Sequence, residues 1–128
     1  MATMNATAEY TRNAVMTASR GKLVVMMYEG AIRFVEQARF QLARNNVAAC
    51  GTAISNAYNI VSELKVALDP EAGGSVGEEI TTNLDALYTF VLDSLVNANV
   101  NRSVEDLDNV LEVVGTLKEG WDGILDQV

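Results

Sequence analysis

The 128-residue sequence contains no histidine, one cysteine and one proline. Without histidine it lacks the commonest general base near neutral pH and the commonest transition-metal ligand. The single cysteine, Cys50, has no partner for an internal disulfide, the usage expected of a reducing, intracellular setting. Proline stands only at position 70, so nothing interrupts a helix elsewhere. The longest continuous apolar run, Leu23 to Tyr28, falls far short of the roughly 20 residues that cross a bilayer, so no membrane insertion is expected. The first residues, MATMNATAEYTRN, lack the apolar stretch of a secretory signal, and a cytoplasmic protein is expected. Basic residues are scarce in the second half. From Asp69 onward the charge balance is −11, against +3 up to Leu68, which gives the net −8. An acidic half argues against nucleic acid, coats solvated helix faces and steers a basic partner.

What is present is apolar material at helical spacing. Apolar residues make up 49% of the chain, enough for a core in one domain spanning 1–128. The stretch Thr17 to Leu42 organises the rest. Leu23, Met27, Phe34 and Ala38 form one stripe, and Val24, Tyr28, Ala31 and Val35 form another beside it. An arc this wide needs neighbours on two sides, so this helix reads as the central member of a bundle. Before it, residues 1–18 hold Tyr10, Ala14 and Val15 in a piece too short to be a stable helix alone.

Ser19 is a candidate N-cap, and Asn45-Asn46 tolerates a left-handed turn, which sets the first helix at 19–44. A second helix over 47–68 carries Cys50, Ala53, Ile54, Ala57, Ile60, Val61 and Leu64 on one face. Asp69-Pro70 stops it and EAGGSVG forms a loop. Ser75 with Glu78 makes a capping box for a third helix over 76–98, and Ser103 with Asp106 makes a weaker cap for a fourth over 103–126. The expected fold is all-α, an antiparallel up-down-up-down four-helix bundle.

The residues give little chemistry to build on. The Glu-x-x-His motif of di-iron bundles is absent. No Gly-x-x-x-x-Gly-Lys-Ser/Thr phosphate loop occurs, and Cys50 lies on an apolar stripe without a base beside it. No enzyme, cofactor or metal site is expected. Acid pairs such as Glu78-Glu79 and Glu105-Asp106 fall at helix starts, where they complement the dipole. What remains is partner surface: Met26, Met27, Tyr28, Tyr58, Tyr88 and Phe90 are soft or amphipathic groups of the kind that line helix-binding grooves, and equally able to fill a core. Gly30 and Gly115, inside expected helices, each cost about 1 kcal/mol relative to alanine, and close approach of another helix or of a ligand is the expected compensation.

The run Ala18-Ser19-x-x-Lys22-Leu23-Val24-x-Met26-Met27-Tyr28-Glu29-Gly30-Ala31 resembles the signature of the FliS flagellin-export chaperones. So do Tyr10 before it, Ala57-x-x-Ile60-Val61-x-Glu63-Leu64, Leu68-Asp69, Asn83-Leu84-x-x-Leu87-Tyr88, Leu95-x-x-Ala98-Asn99 and Trp121. The resemblance spans residues 8 to 125 in order. The chain departs from it with Arg20 where proline is usual and Met27 where leucine is frequent, and neither change disturbs a helix start or an apolar face.

The resemblance implies a four-helix bundle with a short extra N-terminal helix. It implies binding of the disordered C-terminal segment of flagellin in the cytoplasm, protection from premature polymerisation and delivery for type III flagellar export. Flagellar assembly regulators and export-gate proteins are further partners to expect. The partner surface is placed on Tyr10, Leu23, Met26, Met27, Tyr28, Asn56, Ile60, Leu64, Leu87, Tyr88, Val91 and Leu95, and periodicity leaves open which face a groove and which the core. Residues 1–18 act as a lid in this reading, and Trp121 and Leu117 belong to the core. The alternative is a non-catalytic regulatory module that self-associates through the same apolar face.

Overall fold

The computed structural model describes residues 20–68 and 74–126, with side chains over 21–68 and 78–123. Four helices and no strand occur among the described residues: α1 (Arg20–Ala43), α2 (Val47–Val66), α3 (Gly74–Asn101) and α4 (Val104–Asp126). The N-terminal segment with Tyr10, the Ser19 cap and the Asp69-Pro70 stop lie outside them.

The links follow from polar residues in the sequence. After α1, Asn45 takes a left-handed φ of 59°, a conformation asparagine tolerates better than most residues. Asn46 then caps α2, its side-chain oxygen accepting the Ala49 N–H at 3.2 Å. Between α3 and α4, Arg102 has φ 53° and Ser103 accepts the Asp106 N–H at 3.2 Å. Glu105 and Asp106 fill the first turn of α4, on the positive end of its dipole.

Three helix ends differ from expectation by two residues or more: α2 stops at Val66 rather than at 68, and both ends of α3 move. The third helix begins at Gly74, ahead of Ser75, and continues through the asparagine-rich stretch to Asn101 rather than ending near Ala98. The asparagine side chains do not compete for the helix backbone there. Asn101 donates to Asn97, and Asn97 donates to Asp106 at the start of α4.

Each helix packs against two others: α1 and α3 each touch α2 and α4, and α1 and α3 face one another diagonally. The four thus form a ring in which α1 packs most extensively, against neighbours on two sides, as its wide apolar arc requires. The core stripe of α1 is Tyr28, Ala31, Val35 and Ala38, all at most 1% exposed. It meets Ala53, Ile54, Ala57, Val61 and Leu64 of α2, Val91, Leu92 and Leu95 of α3, and Leu107, Val110 and Val114 of α4. Trp121 and Leu117 pack against this core half-buried. Small side chains at Ala31, Ala38, Ala53 and Ala57 belong to the core parts of α1 and α2, and a Cβ added at Gly30 would lie 3.2 Å from Ile60 Cδ1. Gly30 therefore serves close helix–helix approach.

Candidate functional site

The residues expected to meet a partner divide three ways. Leu23, Met26 and Leu87 are exposed, at 39%, 64% and 37%. Met27, Asn56 and Ile60 are half-buried at the edges of their helices. Tyr28, Leu64, Tyr88, Val91 and Leu95 are buried in the core, where they hold the helices together and are closed to contact from outside in this arrangement. Tyr10 lies outside the described residues.

Further large apolar side chains are open to solvent without having been expected there. Phe40, Val96 and Val100 are half or more exposed, and Tyr58, already a candidate from its residue type, lies at the surface with them. They line three grooves between neighbouring helices. The first, of about 610 Å³, runs between α1 and α2 beside Arg33, Phe40, Gln41, Ala49 and Asn56. The second, of about 730 Å³, separates α1 and α4 beside Ile32, Glu36, Phe40, Val104 and Leu111. The third, of about 270 Å³, lies between α2 and α3 beside Tyr58, Asn59, Val96 and Val100. Phe40 borders both grooves of α1, with the Arg44 guanidinium 5.2 Å from its ring centroid. The readable signal for these residues was their place off the main stripe: an apolar side chain that the core period does not explain is a candidate for surface use.

A polar network fixes part of the interior. The Tyr28 and Tyr88 hydroxyls lie 2.6 Å apart, their rings tilted 53° with centroids 6.4 Å apart. Trp121 Nε1 donates to the Tyr28 hydroxyl at 3.1 Å, so three helices meet at one oxygen. Burial raises the Tyr28 pKa above its ordinary value, opposed by the hydrogen bonds with Tyr88 and Trp121. Burial also raises that of Tyr88, reinforced by the bond with Tyr28. Both are therefore neutral, bridging groups. Burial likewise pushes the Cys50 thiol up, away from the nucleophilic thiolate.

Ion pairs stitch the helices together at the surface: Arg39–Asp108 at 2.8 Å between α1 and α4, and Lys65–Asp85 at 2.8 Å between α2 and α3. Such exposed pairs contribute about 0–1 kcal/mol each. No cluster of three or more acidic, cysteine or histidine side chains able to hold a metal occurs among the described residues. None of the described helices is long and apolar enough to cross a membrane.

A helical bundle with large apolar side chains exposed beside open inter-helix grooves has the form of a binding scaffold. Residues 3–128 match the family described as Flagellar protein FliS. The chain is 36% identical over 110 residues to the flagellar secretion chaperone FliS of Salmonella typhimurium, covering 85% of this chain and 78% of that one. It is 34% identical to the flagellar secretion chaperone FliSB of Pseudomonas aeruginosa, with 86% and 84% covered. With the Bacillus subtilis FliS chaperone the identity is 26% over 121 residues, with 94% and 86% covered. A crystal structure of a bacterial flagellar chaperone shares the fold, with a TM-score of 0.78, 24% identity and 98% of each chain covered. The chain belongs to the FliS family, a family of flagellar secretion chaperones and not of enzymes.

Proposed function

We propose that this protein is a cytoplasmic export chaperone for flagellin: it binds the disordered C-terminal segment, keeps it from polymerising and delivers it for type III flagellar secretion. The observation that carries this reading is the set of large apolar side chains left in solvent on a folded bundle, Met26, Phe40, Val96 and Val100, the last three beside inter-helix grooves. A client that folds as it binds needs a long apolar surface more than a deep pocket. Methionine and tyrosine supply such contact without strict shape matching.

The client surface in this reading consists of Leu23, Met26, Met27, Asn56, Ile60 and Leu87, extended by Phe40, Tyr58, Val96 and Val100. Tyr28, Leu64, Tyr88, Val91 and Leu95 form the interior behind it. Flagellar assembly regulators and export-gate components are further partners in the same reading. The bundle is read as one antiparallel up-down-up-down domain. Contacts between the late part of α1 and the early part of α4, at Arg39–Asp108, and between the late part of α2 and the early part of α3, at Lys65–Asp85, support this. Residues 1–18 are read as a short extra helix and lid, on the strength of Tyr10 and Val15 in a segment too short to fold alone. Deleting 1–17 then leaves flagellin affinity unchanged or raises it.

The test is co-elution. The purified chain, mixed with a flagellin C-terminal fragment, runs as a one-to-one complex on size exclusion and suppresses flagellin polymerisation. A chain that dimerises through these same residues and ignores the fragment supports the self-associating module instead.

A further inference from the structure

The two parts of α4 are held to the bundle in different ways. Up to Val114 the helix is anchored by Leu107, Val110 and Val114, all at most 3% exposed, and by the ion pair from Asp108 to Arg39 of α1. From Gly115 to Gly123 no residue is buried, and the side chains that pack on the core, Leu117 and Trp121, are half-exposed. Lys118 pairs at 2.7 Å with Asp122 of its own helix and meets the Glu29 charge of α1 only over a longer distance. The hydrogen bond that ties this stretch to another helix runs from Trp121 Nε1 to the Tyr28 hydroxyl, at 3.1 Å.

The backbone of the same stretch is weak. Three of its nine residues are glycine, at 115, 120 and 123. The close approach expected to compensate Gly115 does not occur: a Cβ at any of the three would meet nothing within 4 Å, whereas at Gly30 it would press on Ile60. Each glycine gains conformational freedom when the helix opens. The last turn has no basic residue to meet the negative end of the dipole. Gly115 stands one residue past Val114, so the weak backbone begins where the buried anchors end.

Loss of the Trp121 contact is also inexpensive. The Tyr28 hydroxyl keeps its bond to Tyr88, and the freed indole N–H and hydroxyl lone pair take up water. Detached, a glycine-rich piece of this length is too short to remain helical by itself.

We propose that residues 115–123 are a latch: beyond Gly115 they detach from the bundle and unwind as one unit, with Trp121 as the catch, and uncover the Tyr28–Tyr88 pair while the rest of the bundle stays packed. Such partial opening draws on the least stable part of a fold. It makes gated surface of two tyrosines that are 1% and 3% exposed when the latch is closed. The device is independent of the client and of the flagellin reading.

The test is hydrogen exchange of the intact chain, read amide by amide at several low denaturant concentrations. The amides of 118–123 share one protection factor with little dependence on denaturant, about a hundredfold or more below those of 107–114. Trp121→Phe lowers that shared value by about fivefold or more, and Gly120→Ala raises it several-fold. Val110→Ala weakens a core that stays packed in the open form, so it lowers protection of 107–114 and leaves 118–123 unchanged. Gly120→Ala keeps the test decisive if the phenylalanine variant folds poorly. Acylation by N-acetylimidazole reads the uncovered pair: Gly120→Ala slows it at Tyr28 and Tyr88 and not at the exposed Tyr58.

Three results would overturn the proposal. Protection that falls residue by residue towards the end of α4 is fraying, not a unit. Loss at 118–123 in Val110→Ala means that this stretch opens only with the whole bundle. Acylation of Tyr28 and Tyr88 that Gly120→Ala leaves unchanged separates the tyrosines from the latch.

Discussion

One oxygen holds three helices at the centre of this protein. The Tyr28 hydroxyl accepts from Trp121 and shares a hydrogen bond with Tyr88, tying α1 to α3 and α4. Tyr28→Phe leaves the Trp121 N–H and the Tyr88 hydroxyl without that partner, at an expected cost of about 1–3 kcal/mol. Tyr88→Phe costs less, because the Trp121–Tyr28 bond remains. Chemical denaturation of the two variants checks the order, and equal midpoints would contradict it. The same pair makes stability depend on alkaline pH. Both hydroxyls are raised in the folded state above the ordinary tyrosine value of 10.0, chiefly by burial. Stability from that shift is therefore fully present below pH 10 and is lost as pH rises beyond it. Denaturation over a pH series then gives a plateau at neutral pH, followed by a decline of up to about 1.4 kcal/mol per pH unit for each tyrosine. The double phenylalanine variant loses most of that slope.

Along α4, helix-forming strength is unevenly distributed. Its start is capped by Ser103 and carries Glu105 and Asp106 in the first turn. Its last turn has no basic residue to meet the negative end of the dipole. Gly120 and Gly123 stand in that half, and an added Cβ at either would meet nothing within 4 Å. Gly120→Ala and Gly123→Ala are each expected to stabilise the fold by up to about 1 kcal/mol, read as a rise in melting temperature. Gly30→Ala brings no such gain, because its Cβ presses on Ile60; a rise there as large as in the other two would contradict the reading.

The element scale is also where the sequence was most legible. Leu107, Val110 and Val114, like Ala53, Ala57, Val61 and Leu64, fall on the faces that periodicity picks out, and Asn45 turns the chain as its side chain allows. The end of α3 was misjudged because asparagines usually compete with the backbone, whereas Asn97 and Asn101 bond to one another and to α4. That bonding depends on a helix distant from them in space until the chain has folded.

For the whole molecule, the sides of the helices were less legible than their positions. A wide apolar arc says that a helix meets more than one neighbour, but not which part of the arc is left over. Tyr28 and Tyr88 looked like amphipathic interface residues, yet each finds in the other a partner for its hydroxyl and so can be buried. Phe40, Val96 and Val100 fell off the core period and were passed over, although they carry much of the exposed apolar surface. These placements make mutations separable. Met26→Asp and Val100→Asp, at largely exposed positions, are expected to change the melting temperature little while weakening flagellin binding by tenfold or more. Val91→Asp, at a fully buried position, is expected to unfold the bundle. Thermal melts beside binding assays distinguish the two classes, and unchanged binding in both exposed variants would place the client elsewhere.

The most direct measurement is a calorimetric titration of the intact chain with a flagellin C-terminal peptide of about 40 residues, at several temperatures and with circular dichroism of the mixture. A groove that folds its client predicts one-to-one binding, more helix than the separate components contain, and a negative heat-capacity change from the apolar surface buried. No heat and no added helix, from a bundle that is folded by its own spectrum, would contradict a flagellin chaperone built on these grooves.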